Sequence, residues 1–188
     1  MLLPFITWAI TGVFFFIKPG YSSAYEKLAI TTYPVLSDIK LPINNQWSEI
    51  RRLRSVIGEH LLVKEEGTWR HLTLPSMTIV KSPTQEDVQQ LVADAIKHNS
   101  ERYGEVKGIN NLTVTTSTDV NVTLNWDNMT LRQRGPDTEF ISMMYQIHYL
   151  KWTGIKALDN VLGIIGLALV VLLAFMGVLL SMKRVKRS

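Results

Sequence analysis

Few side chains in this chain are equipped for chemistry, and they are scattered. The histidines are His60, His71, His98 and His148, and there is no cysteine. Disulfides, thiolate nucleophiles, zinc fingers and cysteine-held clusters are therefore excluded. No histidine has another three or four residues away, so metal ligation would need convergence from distant parts of the chain. No P-loop, GxGxxG, HExxH or GxSxG occurs, and no carboxylate pair stands out by its spacing. Catalysis is not expected. His148 is the residue of interest, because it lies in "QIHYLKWTGIKALDN", directly before a long apolar run. It could ligate haem or a metal at the mouth of a membrane helix, with Met143 and Met144 nearby. The competing reading is a collar at the bilayer surface, in which Tyr149 and Trp152 are interfacial rings and the methionines fill gaps. The collar accounts for most of the stretch. No cofactor is required by the sequence, and haem b at His148 is the one it could accommodate. The cluster Arg51, Arg52 and Arg54 reads as the solvated face of a strand rather than an anion patch.

The elements that would position these residues begin with the apolar ends. "VLGIIGLALVVLLAFMGVLLSM", residues 161–182, contains no charge. At ~1.5 Å per residue such a helix reaches ~33 Å, enough for ~30 Å of hydrocarbon. Gly163, Gly166 and Gly177 would let another helix come close, including one from a second copy of the chain. "MLLPFITWAITGVFFFIKPG" reads as another membrane helix, over residues 1–17 and incomplete at its N-terminus, with "KPG" ending it. Lys183, Arg184, Lys186 and Arg187 follow the second run, against Lys151 and Lys156 before it. That bias directs the C-terminus to the cytoplasm, and two spans put the N-terminus there too. The middle then faces the periplasm of a bacterium. The net charge of +4 serves topology in this reading, not nucleic acid. The sequons at Asn111, Asn121 and Asn128 read as strand and turn chemistry.

Between the ends, residues 18–46 form an extended lead with one short strand. "SEIRRLRSVIGEHLLVKEEGTWRHLTL" predicts three strands with Gly58 and Gly67 in the turns. "SPTQEDVQQLVADAIKHNSERYG" predicts a helix over 83–99, N-capped by Ser82, with Pro83 first and Gln85 completing a capping box. Val88, Leu91, Val92, Ala95 and Ile96 form its apolar stripe, and Gly104 stops it. "NLTVTTST", "DVNVTLNW" and "MTLRQRG" predict a three-stranded antiparallel meander with turns at Asp119 and at 127–128. The helix would cover its dry face. A helix over 137–158 then carries Phe140, Met143, Met144, Ile147 and Leu150, and Asp159 caps the membrane helix.

"FITWAITGVFFFIKPGYSSAYE", "EIRRLRSVIGEHLLVKEEGTWRHL" and "MYQIHYLKWTGIKALDNVLGIIGLALVVLLAFMGV" together resemble the small PepSY-associated transmembrane proteins of Gram-negative bacteria. The resemblance covers nearly the whole chain. It implies an α+β periplasmic domain over 47–136, with a PepSY-like helix and meander preceded by a strand-rich hairpin region. Membrane helices at 1–17 and 159–182, and a basic cytoplasmic tail at 183–188, complete the arrangement. The implied function is an inner-membrane-anchored binding module that modulates or docks a membrane or periplasmic protein. Larger relatives are linked to siderophore-iron reduction, with histidines on membrane helices as haem ligands. Only His148 could carry over such a role, which makes a haem-associated accessory in transmembrane electron transfer the alternative.

Overall fold

A computed structural model describes residues 2–36, 44–151 and 153–185. Ser22–Thr138 forms one compact unit, and the segments Met1–Tyr21 and Glu139–Ser188 form another.

The first unit is α+β with two antiparallel sheets. One has three strands, β1 (Trp47–Ser55), β2 (Gly58–Glu65) and β3 (Thr68–Leu72), in that order. Glu66 and Gly67 both take positive φ (48° and 80°), as a two-residue turn between right-twisted strands requires. β2 is buried on both faces. Leu62 joins the main core, while Leu61 and Val63 join a second cluster closed by Leu72, Leu74 and Met77. The other sheet has four strands: β4 (Val106–Asn110), β5 (Thr113–Thr116), β6 (Asn121–Asn125) and β7 (Thr130–Arg134). The sequence reading expected three and missed β4. "VKGIN" has no sustained alternation, and it becomes a strand only by pairing with β5 across an irregularity between Val106 and Gly108.

The helix on this sheet is α3 (Gln85–Ile96), preceded in the chain by α2 (Tyr21–Ala24). Its cap differs from the one expected. Thr84, not Ser82, is the N-cap: its hydroxyl accepts from the Asp87 N–H, and the Asp87 carboxylate accepts from the Thr84 N–H at 2.9 Å. An acidic residue three positions after a threonine closes the box reciprocally, leaving Ser82 and Pro83 outside the helix. The predicted stripe is fully buried, with Val88, Leu91, Val92, Ala95 and Ile96 against Val114, Val122 and Leu124. Each larger side chain so placed contributes about 1.5–3 kcal/mol. The opposite face of the sheet is wet, and Thr113 meets Thr123 there while Thr115 donates to Asn121. A turn of 3₁₀ helix and α4 (Ser100–Tyr103) follow, ending at Gly104 with φ +62°. In the lead, Leu28 and Ile30 enter the core, and Tyr33 forms a single bridge with Arg54.

The second unit is helical. α1 (Leu2–Ile17) has 16 residues and reaches ~24 Å, short of a ~30 Å hydrocarbon layer. α5 (Pro136–His148) enters this unit at Glu139. α6 (Lys156–Val185) contains the one stretch among the described residues that is long and apolar enough to cross a membrane, the 25 residues Lys156–Leu180. The two spans expected from sequence thus reduce to one candidate span and one shorter apolar helix. Asp159 does not cap α6. It lies inside the first turn, where its Oδ1 accepts from the Thr153 N–H at 3.0 Å and the Thr153 hydroxyl at 2.7 Å, tying down the approach to the helix.

Candidate functional site

His148 ends α5 and packs against α1. Its ring stacks on Trp8 at 5.3 Å with an interplanar angle of 7°, and meets Phe15 edge-on at 5.0 Å. The aromatic pairs Phe14–Phe140 and Phe15–Tyr145 continue the same seam. Nδ1 lies 2.9 Å from the buried Thr11 hydroxyl. That hydroxyl gives its hydrogen to the Thr7 and Trp8 carbonyls, at 2.9 and 3.0 Å, so it accepts from His148 Nδ1–H. Nε2 then carries the lone pair. The ring borders an apolar cavity of about 860 Å³, walled largely by leucine and valine side chains of α6, with Trp8, Lys151 and Asn160 also on its lining.

Of the other residues singled out from sequence, Tyr149 is 55% exposed and stacks on Tyr145. Lys183 and Arg184 lie on the last turn of α6. Trp152, Lys186 and Arg187 lie outside the described residues. Two of the three helix glycines are covered by the chain's own turn. A Cβ on Gly166 would sit 2.7 Å from Leu150 Cδ1, and one on Gly163 would sit 3.9 Å from the Tyr149 carbonyl oxygen. Gly177 alone meets open space. The arginine cluster is divided between the faces of β1. Arg51 pairs with Glu49 and covers the Trp69 ring, Arg52 pairs with Glu59, and Arg54 donates to the Pro34 carbonyl.

The α+β unit contains a constellation the sequence did not disclose. His60 and His71, eleven residues apart, lie on one face of β2 and β3 with His60 Nδ1 3.0 Å from His71 Nε2. His60 Nε2 lies 2.7 Å from Ser55 Oγ, and His71 Nδ1 lies 3.2 Å from the Trp126 carbonyl oxygen. A carbonyl only accepts, so every proton is assigned. His71 Nδ1–H donates to Trp126, His60 Nδ1–H donates to His71, and the Ser55 hydroxyl donates to His60. All three side chains are at least 95% buried. Burial, and then the neighbouring His71, pushes His60 down to about 4. Burial lowers His71 as well, opposed by its bond to Trp126. The order hydroxyl, base, orienter is that of a nucleophilic triad. Ser55, however, is 3% exposed and its Oγ already accepts from the Ile57 N–H, which leaves no room for a substrate carbon. The only sequence signal for this pair was period-2 placement on adjacent strands.

Among the described residues no three His, Asp, Glu or Cys side chains gather into a metal site. A recess of about 400 Å³ beside α4 includes Arg102, Glu101 and Asp137. Its guanidinium is taken up by Asp137 and Gln133, so it is not available to grip an anion. No family model, curated protein or solved structure matches this chain.

Proposed function

We propose that the chain is a membrane-anchored binding module whose α+β unit docks a partner protein on the side away from the basic tail. The observation that carries this reading is the combination of two parts. Ser22–Thr138 is a folded unit with its own core, and α6 presents a 25-residue apolar stretch whose large apolar side chains are mostly exposed. Apolar side chains exposed all round a helix are stable in lipid and unstable in water. The excess of Lys183, Arg184, Lys186 and Arg187 over Lys151 and Lys156 supports a cytoplasmic tail, hence a periplasmic unit in a bacterium. The resemblance to PepSY-associated transmembrane proteins points the same way, and a single helix over an antiparallel meander is compatible with it. In this reading α1 is the second span, accommodated by local thinning of the bilayer. A photoreactive residue at Ile79 or Val56, both exposed, should give a discrete cross-linked adduct of the full chain in intact membranes. Absence of any adduct from exposed positions around the unit contradicts docking.

A second reading is favoured by one observation: His148 offers an Nε2 lone pair beside an apolar cavity, with Nδ1 fixed by Thr11. Those groups fit a haem that His148 would help to hold, its far nitrogen hydrogen-bonded as in ligating histidines generally. Haem iron would supply one-electron transfer. Met176 also lines the cavity, but thirteen residues separate it from Gly163, or ~20 Å along the helix, too far to complete the same pair of ligands. The full chain purified in detergent and supplemented with haem should show a Soret band that His148→Ala removes. Absence of that band in the unaltered chain ends this reading.

A further inference from the structure

Ser55, His60, His71 and the Trp126 carbonyl link four pieces of the α+β unit: the end of β1, the start of β2, β3, and the turn between β6 and β7. Trp126 strengthens this link with its ring, which lies 4.4 Å from His71, while its Nε1–H donates to the Lys81 carbonyl at 3.1 Å. The two sheets therefore meet through one line of hydrogen bonds with a single consistent proton order.

That order leaves little room for added protons. The first can enter only at His60 Nε2, where Ser55 must change from donor to acceptor although its oxygen already serves Ile57. A second proton would go to His71 Nε2, which faces His60 Nδ1–H at 3.0 Å. Two N–H groups and two positive charges would then oppose each other at hydrogen-bond distance. Since His71 is held at both nitrogens, it cannot turn away from His60 without losing Trp126. The charges around the pair do not neutralise two imidazoliums at close range. Asp87 on α3 and Asp127 in the β6–β7 turn act on it only through space. Lys64 and Arg51, on the same face of the sheet, are directed over the Trp69 ring, and Glu59 is paired with Arg52.

We propose that this chain of hydrogen bonds is an acid-operated latch. In the neutral form it fastens the three-stranded sheet to the β6–β7 turn. When both histidines become charged the turn is released, and His71 moves toward Asp127 and water. The latch does not depend on the docking or haem readings, though a unit displayed outside a cell would meet the pH of the medium directly.

The test is hydrogen–deuterium exchange on the full chain in detergent micelles, corrected for the intrinsic effect of pH on exchange. Between about pH 6.5 and about pH 5, where free aspartates (~3.9) and glutamates (~4.3) stay mostly ionised, the opening constant of residues 68–72 and 126–130 should rise steeply. Two-proton linkage corresponds to about a hundredfold per pH unit. α3 should stay protected throughout. His71→Gln cannot take up the second proton, so the slope of its opening constant in those segments should fall to one proton or fewer. Should that variant fail to fold, side-chain NMR of the unaltered chain replaces it: His60 and His71 should titrate together with the opening. Protection lost uniformly across the unit, a pH slope of one proton or fewer in the unaltered chain, or a two-proton slope that persists in a folded His71→Gln chain overturns the latch.

Discussion

Two sets of histidines in the α+β unit respond to pH in opposite directions. His98 donates to Glu26 at 2.6 Å, and that bond, together with one to the Ala95 carbonyl, raises its pKa. Burial would raise Glu26, but its bonds from His98, Tyr103 and Asn99 outweigh that and hold it low. The sign for His98 follows from linkage. Its stabilising contribution is complete below the unfolded histidine value of ~6.5 and is lost as pH rises through the higher folded value. Glu26 contributes above its unfolded value and loses that contribution as pH falls through its lowered one. His60 and His71 behave inversely to His98. The unfolded chain takes their protons first, so stability falls as pH drops from ~6.5 toward the His60 value of about 4. The buried pair dominates below neutrality because His98 is half exposed and screened. Urea midpoints of the full chain in micelles should therefore rise between about pH 4.5 and 6.5 and decline gently above. His98→Gln should remove the decline and leave the rise; a decline that persists in that variant contradicts this assignment.

Single glycines decide how two of the elements end or meet. Gly104 stops α4 with φ +62° and ψ −133°, and its N–H returns to the Ser100 carbonyl at 2.8 Å. That backbone region is almost closed to other residues, and a Cβ there would fall on Ser117 Oγ. Ser117 has little freedom to yield, since its hydroxyl accepts from the Glu105 N–H at 3.1 Å. Gly104→Ala should cost about 1–3 kcal/mol in denaturant unfolding. Gly108→Ala, in β4 with ordinary φ and nothing within 4 Å of the new Cβ, should change stability by no more than ~0.5 kcal/mol. Equal effects of the two would show that strain at Gly104 is not what ends the helix. In the helical unit, Gly166 is matched to Leu150 of the same chain. Helix approach at this position is accordingly an intrachain matter, and Gly177 is the glycine left facing outward.

At the scale of the molecule, a polar α+β unit and an apolar helical unit share one chain through two covalent crossings, near Tyr21 and near Glu139. Such a division of surface specifies a solvent for each part. The full chain should remain in the membrane pellet after an alkaline wash, and a chain confined to Ser22–Thr138, which has neither α1 nor α6, should be released. A reporter fused after Ser188 should face the cytoplasm. Quantitative release of the full chain, or an outward-facing reporter, would remove the basis for an anchored module.

Much of this could be read from local sequence, because it depends on short-range periodicity. A run of 22 uncharged residues specifies a lipid-compatible helix whatever surrounds it. The three strands of 47–72, and the stripe Val88, Leu91, Val92, Ala95 and Ile96, follow from alternation and helical spacing that each segment carries by itself, although Gly58 opens β2 opposite Ser55 rather than sitting in the turn. Tertiary structure decided the rest. Alternation assigns a residue to a face, but only strand register put His60 beside His71, and only the meeting of the two sheets put His71 against the Trp126 carbonyl. Only pairing with β5 made a strand of Val106–Asn110. Only reciprocal bonding chose Thr84 over Ser82, and only the fold of the preceding turn gave Gly166 its neighbour. Each of these is a contact between groups whose spacing along the chain is not a period of helix or strand, and such contacts exist only once the backbone has closed around them.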